Sequence, residues 1–315
     1  MIDPDQEPIR PVSLTRWDVD FPGFAQDLAA SFRRTGFAVI ADHGIDQALI
    51  DAAIADTKAF FALPGTVKQT YHQPGTGGAR GHTPFGVEAA KDATTSDLKE
   101  FWHTGRDLPP GHPYRAAMPD NVWPAEVSGF RNHVGALYGA LDMMGAKLLE
   151  AISADLGLPR SFFGNKVDQG NSVLRLLHYP PIAADAAGVR AGAHEDINVI
   201  TLLLGAEEAG LEVRTRNGLW LAITPPEGAL VVNVGDMLQR LTNHALPSTT
   251  HRVVNPAPER RGMPRYSTPF FLHFNPDFSI ETLPGCVSAA NPNRYPDSIT
   301  ADDYLQQRLR EIKLL

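Results

Sequence analysis

His194-Glu195-Asp196-Ile197-Asn198-Val199-Ile200-Thr201-Leu202-Leu203-Leu204 is a polar triplet that runs within three residues into an apolar, β-branched stretch. Residues i and i+2 of an extended chain share a face, so His194 and Asp196 project together from the mouth of a predicted strand. The triplet alone decides little: with 11 histidines in 315 residues, about one His-x-Asp is expected by chance. Its neighbourhood decides more. His251 opens a second β-rich run, and Arg265 and Ser267, again two apart, open a third.

Outward from this stretch, the part of the chain after residue 170 is a series of short runs: Ser172 to His178, Val199 to Leu204, Leu211 to Arg214, Ala229 to Val234, His251 to Asn255 and Tyr266 to Phe274. Turns and glycines separate them, with no helical pattern long enough for a βαβ crossover, which favours an antiparallel sandwich or jelly roll. Before residue 170 helices dominate. Phe24 to Arg34 has a helical apolar spacing closed by Gly36, Phe37 to Ile40 is a buried strand, and Asp46 caps a helix running to about Leu63. The longest helix starts after Ser128, with a stripe from Phe130 through Leu141 to Ile152 that should lie on a sheet; Met143 and Met144 read as core filler. Between Tyr71 and Arg106 periodicity fails except at Lys99 to His103, where alternation would offer Lys99, Phe101 and His103 to a pocket. Thr300 to Leu315 reads as a last amphipathic helix with Tyr304, Leu305, Leu309 and Ile312 on one side. The expected organisation is one compact unit: an N-terminal helical and mixed segment with a lid loop (1–165), a jelly-roll core (166–280) and a C-terminal extension (281–315).

Composition narrows the function. A net charge of -8 argues against nucleic acid or an anionic membrane as partner, leaving small molecules. A single cysteine, Cys286, excludes an intramolecular disulfide and a thiolate metal cluster. No run of 18 apolar residues suggests a membrane span, and acids stand where a signal peptide needs a basic region, so the cytoplasm is the expected address. No sustained coiled coil or obvious apolar interface fixes an oligomeric state.

Each residue type around the opening stretch has a chemical reason to be there. Taken singly, His194 and His251 read as satisfied histidines, Asp196 as a turn residue and Arg265 as a solvated charge. Together, at consistent strand ends, they read as a metal site. Two imidazoles and one carboxylate leave adjacent coordination positions for a bidentate 2-oxo acid and dioxygen, the ligand set of non-haem ferrous oxygenases. Arg265 can grip the far carboxylate of a 2-oxo dicarboxylate with a two-pronged hydrogen bond, and Ser267 adds a hydroxyl on the same face.

Beyond these residues the sequence resembles the isopenicillin N synthase-like family of Fe(II) and 2-oxoglutarate dependent oxygenases. The likeness is carried by Gly36-Phe37, His43-Gly44-Ile45, Leu174-Arg175-Leu176-Leu177-His178-Tyr179-Pro180, His194-Glu195-Asp196 with Ile200 to Leu203, Gly210-Leu211-Glu212-Val213, Gly218-Leu219-Trp220, Val232 to Asp236, Leu241-Thr242-Asn243, Ser248, His251-Arg252-Val253 and Arg265-Tyr266-Ser267. It implies a mainly β fold, a double-stranded β-helix (jelly-roll) core flanked by α-helices. It also implies iron ligands at His194, Asp196 and His251, and 2-oxoglutarate held by Arg265 and Ser267 with Tyr179 and Arg175 beside it. The implied reaction consumes dioxygen and decarboxylates 2-oxoglutarate to succinate while a small molecule is hydroxylated, desaturated or cyclised. Arg175, Leu177 and Tyr179 share parity, which supports that pair independently.

Three departures stand out: His178, which by parity points away from the pocket; His244 after Asn243; and the long charged loop Pro256 to Pro264. On the substrate side, Phe271 and His273 share parity with Arg265 if the strand runs past Pro269. His82, Phe85, Glu88 and Trp102 are expected in an N-terminal cover over the iron. The alternatives are an isopenicillin N synthase-type oxidase that needs no 2-oxoglutarate, an ethylene- and succinate-forming oxygenase, and a non-catalytic ligand-binding relative, whose mark would be a lost metal ligand.

Overall fold

The computed structural model describes residues 7–87, 98–181, 190–204, 210–255 and 261–311. Its N-terminal part holds β1 (Pro11–Ser13), α1 (Arg16–Val19), α2 (Phe21–Thr35), β2 (Phe37–Ala41), α3 (Gln47–Phe61), α4 (Gly65–Gln69), β3 (Gly81–Thr83), β4 (Glu100–Gly105), α5 (Phe130–Asp155) and α6 (Gly164–Val167). The rest holds β5 (Val173–Tyr179), β6 (Ala191–His194), β7 (Ile200–Leu204), β8 (Leu211–Arg214), β9 (Trp220–Ala222), β10 (Leu230–Val234), α7 (Asp236–Leu241), β11 (His251–Val253), β12 (Arg265–Leu272), β13 (Ser279–Ile280), β14 (Ile299–Thr300) and α8 (Ala301–Glu311).

Two facing sheets make the jelly roll. The larger has eight strands in the order β1-β2-β10-β7-β12-β5-β4-β3, and the smaller has four in the order β6-β11-β8-β9. Apart from the parallel β1–β2 pair, the pairings are antiparallel. Alternation divides the larger sheet cleanly. Ala38, Ile40, Leu174, Leu176, Leu202, Val232 and Phe270 face outward into a core shared with Phe32, Phe60, Leu141 and Leu148 of α2, α3 and α5. Phe37, Val39 and Val231 face inward and meet Leu211 and Val213 of the smaller sheet, closing one side of the inter-sheet space. The remaining inner face, on β7, β12, β5 and β4, is where the polar residues lie.

Local chemistry fixes the helices near the expected places. The Asp20 carboxylate caps α2 by accepting from the Gly23 N–H, which starts the helix at Phe21 rather than Phe24. Gly36 ends it in a left-handed conformation (φ 73°) that brings the backbone against Thr249 and the Pro247 carbonyl, so a Cβ there would collide. Asp46 caps α3 as expected. α5 begins at Phe130, one residue later than expected, with Gly129 rather than Ser128 at the cap, and of the two methionines only Met144 is buried; Met143, one residue round the helix, is 68% exposed. The part of the expected last helix beyond Glu311, with Ile312, lies outside the described residues. No helix among the described residues is long and apolar enough to cross a membrane.

Candidate active site

His194 closes β6 and His251 opens β11, and the two are cross-strand partners, so their rings lie together with centroids 4.4 Å apart. Asp196, two residues past the strand, turns its Oδ1 toward both: 3.8 Å from His194 Nε2 and 3.9 Å from His251 Nε2. One donor atom from each residue falls within 4.8 Å of the others. The atoms facing away are all engaged. His194 Nδ1 lies 2.7 Å from the Gly192 carbonyl and His251 Nδ1 lies 3.1 Å from that of Thr249, which assigns the hydrogen to Nδ1 and leaves Nε2 a lone pair. Asp196 Oδ2 accepts from Thr201 Oγ1 (2.5 Å) and Asn233 Nδ2 (2.8 Å).

The electrostatics agree. Burial, reinforced by His251 alongside, pushes the His194 imidazole down, so it is neutral at pH 7. Burial alone would raise Asp196, but the two imidazoles and the hydrogen bonds from Asn233 and Thr201 outweigh it and keep the carboxyl below its ordinary range. Two imidazole nitrogens and one carboxylate oxygen converging on a point, with every outward atom held by a second layer of hydrogen bonds, fit a divalent first-row ion of the ferrous type. The edge of Phe37 packs on the His251 ring at 5.4 Å. From behind, the Asp236 N–H donates to the Asp196 carbonyl (2.8 Å), and the Asp236 carboxyl, which burial pushes up to about 6, meets Arg308 of α8 at 3.2 Å.

Register places the other expected residues. Arg265 pairs with Tyr179 and Ser267 with Leu177, all facing inward and buried. The Arg265 guanidinium lies 5.1 Å from the Tyr179 ring. Arg190, fully buried, approaches the same ring at 5.9 Å and donates to the Met263 carbonyl. Nothing in the local sequence singles it out. Phe271 faces Thr201, the residue that holds Asp196, and buried His273 beyond it is pushed down to about 4, chiefly by burial.

Four expectations need correction or relocation. Trp102 points to the outer face, fully buried against Phe60 and Phe130, because it pairs with outward Leu176. His82 pairs with Trp102 and shares that face, where its Nε2 bonds Glu100 Oε2 at 2.8 Å; neither residue lines the site. Phe85 is half exposed on the turn after β3, and Glu88 lies outside the described residues. Arg175 does face inward, but beside His103 rather than Arg265: its Nε donates to His103 Nε2 at 2.6 Å, and its guanidinium sits 4.2 Å from the Phe101 ring and 5.3 Å from Phe271. His178 faces outward as parity requires, bonded to Glu100 and stacked on Tyr266.

With this geometry in view, similarity to known proteins decides the family. Residues 170–274 match the 2OG-Fe(II) oxygenase superfamily, and residues 11–126 match the non-haem dioxygenase in morphine synthesis N-terminal family. The chain belongs to the 2OG-Fe(II) oxygenases. A proline hydroxylase, buaE, of Petromyces alliaceus is 35% identical over 91% of this oxygenase and 92% of the relative. A 2OG-Fe(II) oxygenase family protein of Caulobacter crescentus superposes with a TM-score of 0.91 at 65% identity, covering 96% and 99% of the two chains. A full-length Neurospora crassa protein, in complex with alpha-KG and thymine, superposes with a TM-score of 0.86 at 29% identity, covering 98% of each. The oxygenase therefore depends on ferrous iron, 2-oxoglutarate and dioxygen.

Proposed function

We propose that this oxygenase holds ferrous iron with His194, Asp196 and His251, holds the far carboxylate of 2-oxoglutarate with Arg265, Ser267 and Tyr179, and oxidises a small molecule seated against Phe271. The observation that carries the reading is the convergence of His194 Nε2, His251 Nε2 and Asp196 Oδ1 while the opposite atoms of all three residues are hydrogen-bonded elsewhere.

The residues divide the work. The imidazoles, each held through Nδ1, turn Nε2 inward, and Asp196, fixed through Oδ2, presents one ionised oxygen. Arg265 and Ser267 stand two apart on one strand face, a fork and a hydroxyl aimed into a buried space where charge-assisted hydrogen bonds are strong. Phe101, Leu177 and Tyr179 form an apolar patch that excludes water from the co-substrate's side. Iron with 2-oxoglutarate and dioxygen supplies the oxidising power, yielding succinate, carbon dioxide and the oxidised substrate. The Neurospora crassa relative is seen with thymine, which supports a small planar organic molecule as the class of substrate here, and a net charge of -8 favours such a ligand over nucleic acid.

Anaerobic loading with ferrous iron and 2-oxoglutarate should give a weak visible charge-transfer band, and air should then release succinate. His194→Ala and Asp196→Ala proteins that keep both would overturn the ligand assignment. Ethylene in the headspace would mark fragmentation of 2-oxoglutarate itself.

A further inference from the structure

β12 runs unbroken through Pro269 to Leu272, and the chain continues beside the segment that leads from Asp196 into β7, with the Val199 N–H donating to the Leu272 carbonyl at 2.9 Å. His273 therefore follows Phe271 on the inward face, about 7 Å further along. Its backbone is gripped from both ends: the N–H donates to Ser172 Oγ at 3.1 Å, and the carbonyl lies where a Cβ on Gly170 would collide. Its Nδ1 lies 3.1 Å from the Phe271 carbonyl, which only accepts, so Nδ1 carries the hydrogen and Nε2 holds a lone pair. The residue is only 8% exposed, yet among the described residues Nε2 has no hydrogen-bond partner.

Resting on the reading above, we propose that His273 determines specificity: its Nε2 accepts a hydrogen bond from an N–H or O–H on the edge of a substrate whose body lies against Phe271.

Three observations support this. First, His273 is presented by the device that presents the metal ligands. His194 and His251 are each held through Nδ1 by the carbonyl two residues back, and His273 repeats that arrangement. It nevertheless stands outside the group of donor atoms that lie within 4.8 Å of one another, so its lone pair is aimed without being used by the metal.

Second, the ring is an acceptor at neutral pH. Burial pushes it down to about 4 against the opposing pulls of the Phe271 carbonyl and the Asp196 carboxylate. A buried acceptor without a donor is destabilising, so one kept in a native structure points to a donor brought from outside.

Third, the position suits the edge of a molecule on its way to the iron. Phe271, partly exposed, pairs with Thr201, which holds Asp196, and His273 stands next along the strand. One contact to the face of a rigid ring and one to its edge fix which carbon is turned to the metal. An acceptor at the edge takes an imide, a ring N–H or a hydroxyl and rejects a carboxylate.

The test is calorimetry on the anaerobic holoenzyme, saturated with ferrous iron and 2-oxoglutarate, with probes of matched shape that differ in their donors: thymine against 1,3-dimethylthymine, indole against 1-methylindole, and phenol against anisole. At least one donor probe should bind about five- to tenfold more tightly than its methylated partner, the effect of a single neutral hydrogen bond. His273→Leu should erase that preference and leave the methylated probes within about twofold, which separates the lost bond from crowding by the methyl group. His273→Gln, whose amide oxygen can take the place of Nε2, should restore part of it. The charge-transfer band should be the same in all three proteins, showing that each is folded and loaded. Equal binding within every pair, no binding of any donor probe, or a preference that survives in His273→Leu would overturn the proposal. A wild-type protein with no charge-transfer band would count against the iron and 2-oxoglutarate assignments instead, a separate result.

Discussion

Thr201→Val removes one of the two donors that hold Asp196 Oδ2 and leaves side-chain volume nearly unchanged. The bond is 2.5 Å long, buried, and made to an ionised carboxylate, with Asn233 Nδ2 at 2.8 Å as the other donor. Hydrogen bonds to charged groups contribute about 1.5–3 kcal/mol, or roughly 10- to 150-fold in a binding constant. Loss of a second-layer partner typically costs a metal site about 10- to 100-fold. The two estimates agree, so iron affinity should fall by about one to two powers of ten. The pH dependence should move as well. Asp196 ligates only when ionised, and its pKa is held down; affinity is present above that pKa and lost as pH falls through it. Removing a donor lets burial push the carboxyl up, so in the variant iron is lost at higher pH than in the wild type. Competition with a ferrous chelator at a series of pH values measures both effects. Asn198 loses one bond to Thr201 but keeps its bond to the Ile200 carbonyl, so thermal stability should change little. An unchanged affinity and an unmoved pH profile would refute the account of how Asp196 is held.

Arg265→Met should raise the 2-oxoglutarate dissociation constant by about 100-fold, the loss of a buried charge-assisted pair, and leave iron affinity within about twofold by the same chelator competition. Arg80 is buried, and among the described residues its Nε and Nη2 have no hydrogen-bond partner, so Arg80→Met should raise the urea midpoint. Gly105→Ala would drive a methyl into that guanidinium and should cost about 1–3 kcal/mol, a penalty that Arg80→Ala in the same chain should relieve. Glu100, bound by Lys68, His82 and His178, is held far below its ordinary pKa by those hydrogen bonds against the opposing pull of burial. Its stabilisation is therefore full above about pH 4.3 and fades as pH falls below that, and Glu100→Gln should cost about 3 kcal/mol at neutral pH with a gap to wild type that narrows in acid.

Parity makes much of this site legible. His194 with Asp196, Arg265 with Ser267, and Tyr179 on its own strand are each set by which face a residue takes, and local sequence encodes that. What parity does not encode is register. Arg175 shares its face with Tyr179, yet its neighbours are His103 and Phe271, because distance along a strand decides partners as much as face does. His82 lies outside the site for a related reason: the face of a three-residue strand entered through Gly81 at φ 73° follows from its pairing with β4. Trp102 lies outside it by parity itself, since it alternates with inward Phe101 and His103. Thr201 and Asn233 carry a signal that points to them. Each is a lone polar residue on the inward side of an otherwise apolar strand, a pattern that asks for a buried partner. Arg190 offers no such signal, since its burial depends on Asn255 and Met263, distant in sequence.

The link from Arg308 through Asp236 to the backbone of Asp196 has a practical side. It moors the last helix of the chain to the loop that carries an iron ligand, across a gap of more than a hundred residues in sequence. Loss of α8 to a contaminating protease would be felt at the metal before it is felt in the barrel, whose two sheets do not include that helix. A preparation clipped there would look folded by circular dichroism while carrying less than one iron per chain. Intact mass therefore belongs beside every metal determination.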